Sequence, residues 1–158
     1  MCEKTIDIAY KGLSSEPSDK ISFSLKKSLA GALNNIGFVY ANQGDIPKAL
    51  DYHHESLKLH EELGDKKGIA YGFNNIGFLY KKQGDIKNAF EYYHKSLKIY
   101  EEIGDKEGQA MSLNNIGIIS ISAGDTTKAL EYHLKSLKLY KVIEDKYGMA
   151  YSLHHIGS

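Results

Sequence analysis

The chain has a single cysteine, no surplus of either charge and no long apolar run, and each lack removes a class of protein. Cys2 has no internal partner, so no disulfide frames the fold and the chain suits a reducing, cytoplasmic setting. Twenty basic residues offset twenty acidic ones, with Lys and Glu mixed along the same segments. No global field therefore selects nucleic acid or an anionic membrane. No stretch approaches the roughly 18 apolar residues that span a bilayer. The start, Met1 to Asp7, lacks the basic and apolar regions of a signal peptide. There is no phosphate-cradling glycine loop, no nucleophile elbow and no Cys–His arrangement. The expectation is a non-enzyme without catalytic residues or cofactor.

What the chain does have is a period. Asn-Asn-Ile-Gly occupies 34–37, 74–77 and 114–117 and returns as His154-His155-Ile156-Gly157, at an interval of 40 residues each time. Residues 44–83 and 84–123 agree at 20 of 40 positions without a gap. A fixed period of this size marks one supersecondary unit stacked on itself, which builds an extended surface rather than a catalytic pocket.

Within residues 44–83, Gly44-Asp45 and Gly64-Asp65 are stop-and-cap signals, glycine ending one helix and aspartate opening the next. Between them Ile46, Ala49, Leu50, Leu57 and Leu63 fall at helical spacing, with Pro47 in the first turn, where its missing N–H costs little. A second helix is predicted from Lys66 to Gln83, with Ile69, Ala70, Phe73, Ile76, Gly77 and Tyr80 on one face. Nothing alternates with period two, so no strand is expected. Each helix of about 18 residues is roughly 27 Å long. Gly37, Gly77 and Gly117 sit inside helices, where glycine costs about 1 kcal/mol against alanine. With Ala49, Ala89 and Ala129 they imply a crossing too close for a side chain.

These residues resemble the tetratricopeptide repeat. Its helix A pattern is matched by Leu33, Ile36, Gly37 and Tyr40; by Phe73, Ile76, Gly77 and Tyr80; and by Leu113, Ile116 and Gly117. Its helix B pattern is matched by Ala49, His53 and Ser56; Ala89, Tyr93 and Ser96; and Ala129, His133 and Ser136. The resemblance covers residues 30 to 157. It implies an all-α fold, a right-handed superhelix of antiparallel helix pairs. The usual repeat has 34 residues, so this 40-residue form is similar to those of kinesin light chains, Leu-Gly-Asn-type adaptors and bacterial signalling proteins. Ser120 departs from the helix A tyrosine, which leaves a gap or a local adjustment.

Residues 1–24 are expected to be a degenerate helical segment and 25–158 the array. Ala9 falls in register with Ala49, the run Ser14 to Asp19 breaks that helix, and Asp19 is placed to cap a helix reaching Asn42. At the other end the last repeat is incomplete, leaving Leu153 and Ile156 on an apolar face. That end is expected either to continue into a longer protein or to be covered by a second copy, as a homodimer.

In the resembled family helix A lines a concave groove. Carried over by position, the groove residues are Gly31, Asn34, Asn35, Phe38, Ala41 and Asn42 in the first repeat. Tyr71, Asn74, Asn75, Phe78, Lys81 and Lys82 follow in the second, then Met111, Asn114, Asn115, Ile118, Ile121 and Ser122. The amides of Asn34, Asn74 and Asn114 would pair with the backbone of an extended peptide. Phe38, Phe78 and Ile118 would take apolar anchors, and Lys81 with Lys82 an acidic residue. Asn35, Asn75 and Asn115 are as readily structural. A terminal-carboxylate clamp of the chaperone-binding kind needs Lys where Asn34, Asn74 and Asn114 stand, so that subset is not expected.

The implied partner is a peptide or protein, with no nucleic acid and no membrane, and the implied role is the adaptor or sensory part of a larger signalling protein. The alternative is a structural self-assembly module whose ends stack on other copies. Seven histidines invite a metal, yet His53 and His133 lie two repeats apart, and His53 and His54 diverge on one helix. His54 and His94 lack a third ligand, so packing or surface roles are expected. Asp45, Asp65, Asp85, Asp105, Asp125 and Asp145 are all expected as helix caps.

Overall fold

The computed structural model describes residues 6–8, 10–11 and 19–157. Seven helices follow in order: α1 (Asp19–Gln43), α2 (Ile46–Glu62), α3 (Lys66–Lys82), α4 (Ile86–Glu102), α5 (Lys106–Ser122), α6 (Thr126–Val142) and α7 (Lys146–Gly157). The helices predicted to end at 63 and 83 each stop one residue earlier. Residues 6–8 and 10–11 are helical too, but Ala9, the break over residues 14–18 and the side chain of Asp19 lie outside the described residues. The boundary expected after residue 24 falls inside α1. The chain divides into two compact units, residues 1–72 and 73–158.

One turn recurs between each pair of consecutive helices from α1 to α7. Gly44, Gly64, Gly84, Gly104 and Gly124 adopt φ between 64° and 83°, and Glu144 takes the same role at φ 57°. In each turn the following aspartate N–H returns to a carbonyl five residues back, as Asp65 does to His60 at 2.9 Å. This closes the carbonyls a helix end leaves open. The six aspartates then accept from backbone N–H groups of the next helix, those of Lys48, Gly68, Asn88, Gly108, Lys128 and Tyr147. Capping was the expected role of all six.

In the unit 1–72, Leu29, Ala30 and Leu33 of α1 pack on Leu59 of α2, with Ile6 and Tyr52 at the edge. The Ser56 hydroxyl donates to the Ala30 carbonyl at 2.8 Å. In the unit 73–158, Ala89, Tyr93 and Leu97 of α4 meet Leu113, Ile116 and Ile119 of α5. The helix-interior glycines are filled by rings rather than by a helix backbone. A Cβ on Gly37 would come within 2.8 Å of His53, on Gly77 within 2.9 Å of Tyr93, and on Gly117 within 2.7 Å of His133.

Ser120 makes a local adjustment. Tyr40 stacks on Tyr52 and Tyr80 on Tyr92, each at 5.4 Å. At the matching place Ser120 is buried and its hydroxyl donates back to the Ile116 carbonyl at 2.9 Å.

Candidate functional site

Helices α1, α3 and α5 carry the positions expected to meet a ligand, and α7 is the next helix of the same kind. In the unit 73–158, α3, α5 and α7 are joined by polar side chains. Asn74 Nδ2 donates to Ser112 Oγ at 3.0 Å, and Asn114 Nδ2 repeats this to Ser152 Oγ at 3.0 Å, 38 residues apart in both cases. Ser112 Oγ lies 3.2 Å from Ser96 Oγ, and the Ser152 hydroxyl reaches the Gly148 carbonyl at 3.0 Å. His133 Nδ1 donates to Asn114 Oδ1 at 2.9 Å, and Asn115 Nδ2 to Asn74 Oδ1 at 3.3 Å.

Asn74 is 4 % exposed and Asn114 2 %, so both face inward and their amides tie one repeat to the next. That differs from the expected amide ladder open to a ligand. The physical reason is the serine at 112 and 152, which gives each amide a partner inside. Asn75 is buried as well and Asn115 half-buried. In the unit 1–72, Asn34 is half-buried, while Asn35, Asn42 and Gly31 are exposed and Ala41 is buried. Phe38 is half-buried with its ring edge-on to His53 at 5.5 Å. Removing the Asn114 amide by Asn114→Ala leaves His133 Nδ1 and Ser152 without it. We expect a loss of about 2 kcal/mol, read as a lower urea midpoint at constant slope. An unmoved midpoint would show that this amide does not hold the array.

The open positions are apolar and cationic. Tyr71 is exposed on α3, as is Phe78, and Met111 and Ile118 are half-buried on α5. Lys81 and Lys82 set their ammonium groups 5.7 and 5.4 Å from the Phe78 ring centroid. Ile121 and Ser122 are exposed, the Ser122 hydroxyl donating to the Ile118 carbonyl at 3.3 Å. On α7, Tyr151 occupies the place of Met111 one period on and of Tyr71 two periods on, and meets His155 edge-on at 4.7 Å. Burial pushes the Lys81 ammonium below the usual lysine range. His155 is also lowered, first by burial, then by His154 and by Lys81.

Among the described residues no three His, Cys, Asp or Glu side chains converge to hold a metal ion. No described helix is long and apolar enough to cross a membrane. The six cap carboxylates are engaged by backbone donors, which is a structural task. Sequence reasoning missed His154 and His155 as part of this face, although their place in the fourth Ile-Gly echo marks the register.

Helix pairs repeating every 40 residues, with Gly37, Gly77 and Gly117 each filled by a ring of the next helix, define an all-α array of helical hairpins. The chain belongs to the tetratricopeptide-repeat family: models described as tetratricopeptide repeat match residues 29–63 and 68–141. Among curated proteins no relative matches. Among solved structures, BtubC (BKLC) from P. vanneervenii is similar over 97% of this chain and 61% of its own, at 19% identity and a TM-score of 0.79. The apo form of RapI is similar over 96% of this chain and 40% of its own, at 19% identity and a TM-score of 0.79. The TPR domain of Arabidopsis FLU is similar over 74% of this chain and 98% of its own, at 19% identity and a TM-score of 0.68. The chain thus spans 61% and 40% of the first two, and at these identities the likeness is one of fold.

Proposed function

We propose that this chain is a protein–protein interaction scaffold that takes a peptide or protein segment on the helix A face of residues 73–157. The observation that carries the reading is the exposed Phe78 on α3, with Met111 and Ile118 half-buried on α5, the helix that the amides join to α3. An apolar strip left open on helices already tied together by their own amides is suited to an anchor side chain. Because Asn74 and Asn114 are engaged inside, side chains such as Phe78, Met111, Ile118, Lys81 and Lys82 carry the contact. In the unit 1–72 the corresponding positions are Asn34, Phe38 and Asn42. Likeness to long-form repeats supports a place as the adaptor or sensory part of a larger signalling protein, an argument from family rather than from residues.

Panning a random dodecapeptide display library on the chain tests this. Binders are expected to lose about tenfold in affinity with Phe78→Ser, a change at a partly exposed residue that leaves the melting temperature nearly in place. Binders indifferent to both Phe78→Ser and Ile118→Ser, or no binders at all, would overturn the reading.

A second reading, self-assembly, has its own observation. Ile121, Leu130 and Leu153 are exposed on α5, α6 and α7, and a cavity of about 420 Å³ lies among Ile121, Thr126, Thr127, Ala129, Leu130, His155 and Ile156. A second copy covering that face would bury it.

A further inference from the structure

The open apolar residues of 73–157 recur at a fixed interval, and that interval selects the shape of what can lie on them. Phe78 on α3 and Ile118 on α5 share one register position, and Met111 on α5 and Tyr151 on α7 share another. Asn74 donates directly to Ser112 between α3 and α5, and Asn114 to Ser152 between α5 and α7, at 3.0 Å each. Helices bridged by single side-chain hydrogen bonds are at packing distance, so their axes stand about 8–10 Å apart. Equivalent side chains on neighbouring helices therefore repeat at about that interval.

A β-strand turns side chains to one face at about 6.7 Å and then at about 13 Å, and misses the interval both times. An α-helix returns to one face after seven residues, about 10.5 Å on, but its residues three and four positions along then press between the anchors. Asn115 stands in that place, on the stripe between Met111 and Ile118, with its Nδ2 donating to Asn74 Oδ1 on α3 at 3.3 Å. It is half-buried, and among the described residues its second amide hydrogen has no partner. Such a donor suits an unpaired backbone carbonyl, which a helix keeps for itself. A polyproline II segment meets both demands, because every third residue returns to one face after about 9.3 Å and its carbonyls are free. Phe78 also sets the sign of the neighbouring charge. The half-buried Lys81 holds its ammonium 5.7 Å from the ring centroid, while α3 contains no acidic residue and α5 only Glu107, in its first turn. An acidic residue beside the anchor is attracted there and a basic one repelled.

Resting on the groove reading above, we propose that this face takes a polyproline II segment of a partner protein, with apolar residues at every third position and prolines and acidic residues between them. Successive apolar side chains sit on Phe78 and Ile118 as the segment crosses from α3 to α5. Asn115 donates to a backbone carbonyl between the two anchors.

The test uses the whole chain and three fluorescent peptides of identical Leu, Pro and Glu composition, which place Leu at every second, every third or every fourth position. In fluorescence anisotropy the every-third peptide is expected to bind about tenfold more tightly than either rearrangement. Phe78→Ser and Ile118→Ser should each remove that preference. Lys in place of Glu in the same peptide should weaken it about fivefold. Equal affinity for the three spacings, binding of none, a preference that survives both substitutions, or indifference to Lys for Glu overturns this inference. Selected dodecapeptides that still lose affinity with Phe78→Ser then leave the groove reading standing. Dodecapeptides that ignore Phe78 and Ile118, or an empty selection, overturn both.

Discussion

Gly108→Ala is expected to lower the unfolding free energy by about 3 kcal/mol, whereas Gly31→Ala is expected to raise it by up to about 1 kcal/mol. Both glycines are helical, and on propensity alone both changes favour the helix. Around Gly31 a new Cβ meets nothing within 4 Å, so only the propensity gain remains. At Gly108, in the first turn of α5, the same atom would stand 2.2 Å from Tyr100 Cδ1, 2.4 Å from Cε1 and 2.5 Å from Cγ. Tyr100 is among the largest fully buried side chains of the fold, so its ring has no room to retreat. Separation of α4 from α5 is the remaining response, and it exposes the core of residues 73–158. Urea denaturation of the two variants reads the difference directly. The added variant Gly108→Ala with Tyr100→Leu should regain part of the loss, because the clash is with the ring. Gly108→Ala as stable as the parent chain would overturn the argument.

That contact belongs to a series which sequence reasoning passed over. Gly37, Gly77 and Gly117 stand out because they interrupt helices, and their small size was legible as a close crossing. Gly68, Gly108 and Gly148 recur with the same period, but each lies three residues after a capping aspartate, in a first turn where a glycine interrupts no helix. In the fold each receives a ring from the preceding helix: His60 at 2.1 Å, Tyr100 at 2.2 Å and Tyr140 at 2.2 Å from an added Cβ. Helix limits were legible because glycine at positive φ and capping aspartate are local requirements, met within a few residues of chain. Even there one turn hides its signal, since Glu144 takes the glycine conformation at φ 57°. The roles of the asparagines were not legible, because they depend on a residue 38 positions on. That register position holds serine at 112 and 152 but Gly72 one period earlier, so the identical Asn-Asn-Ile-Gly motif sits in different surroundings. A repeat thus shows its fold in the letters that recur, and hides its polar interior in the letters that change opposite them.

Stability should fall by about 3 kcal/mol or more between pH 6.5 and pH 4, the window set by the buried imidazoles. The rings at positions 53, 93 and 133 fill equivalent glycine sites, and two of the three are histidines. Burial, with His54 second, pushes His53 down to about 4. Burial, with His155 second, lowers His133 as well. His53 Nδ1 and His133 Nε2 are buried without a hydrogen-bond partner, so a proton added to either would have no acceptor. In the unfolded chain each imidazole takes its proton near 6.5. As pH falls below that value the unfolded state binds protons that the fold refuses, so the folded state loses ground until His53 itself titrates. A difference of about 2.5 units at one site corresponds to about 3 kcal/mol. The cap carboxylates of Asp45, Asp85 and Asp125 are lowered by their hydrogen bonds to Lys48, Asn88 and Lys128. Their contribution is present above the ordinary carboxylate range and is lost below it, at lower pH than the histidine window. His53→Tyr installs the ring that Tyr93 already places over Gly77, and should flatten the upper part of the profile. NMR titration of His53 in the unmodified chain gives an independent reading, with protonation expected only near pH 4. Stability that stays level from pH 6.5 to pH 4, or a His53 ring that titrates near 6.5, would show that these imidazoles are not held neutral by the array.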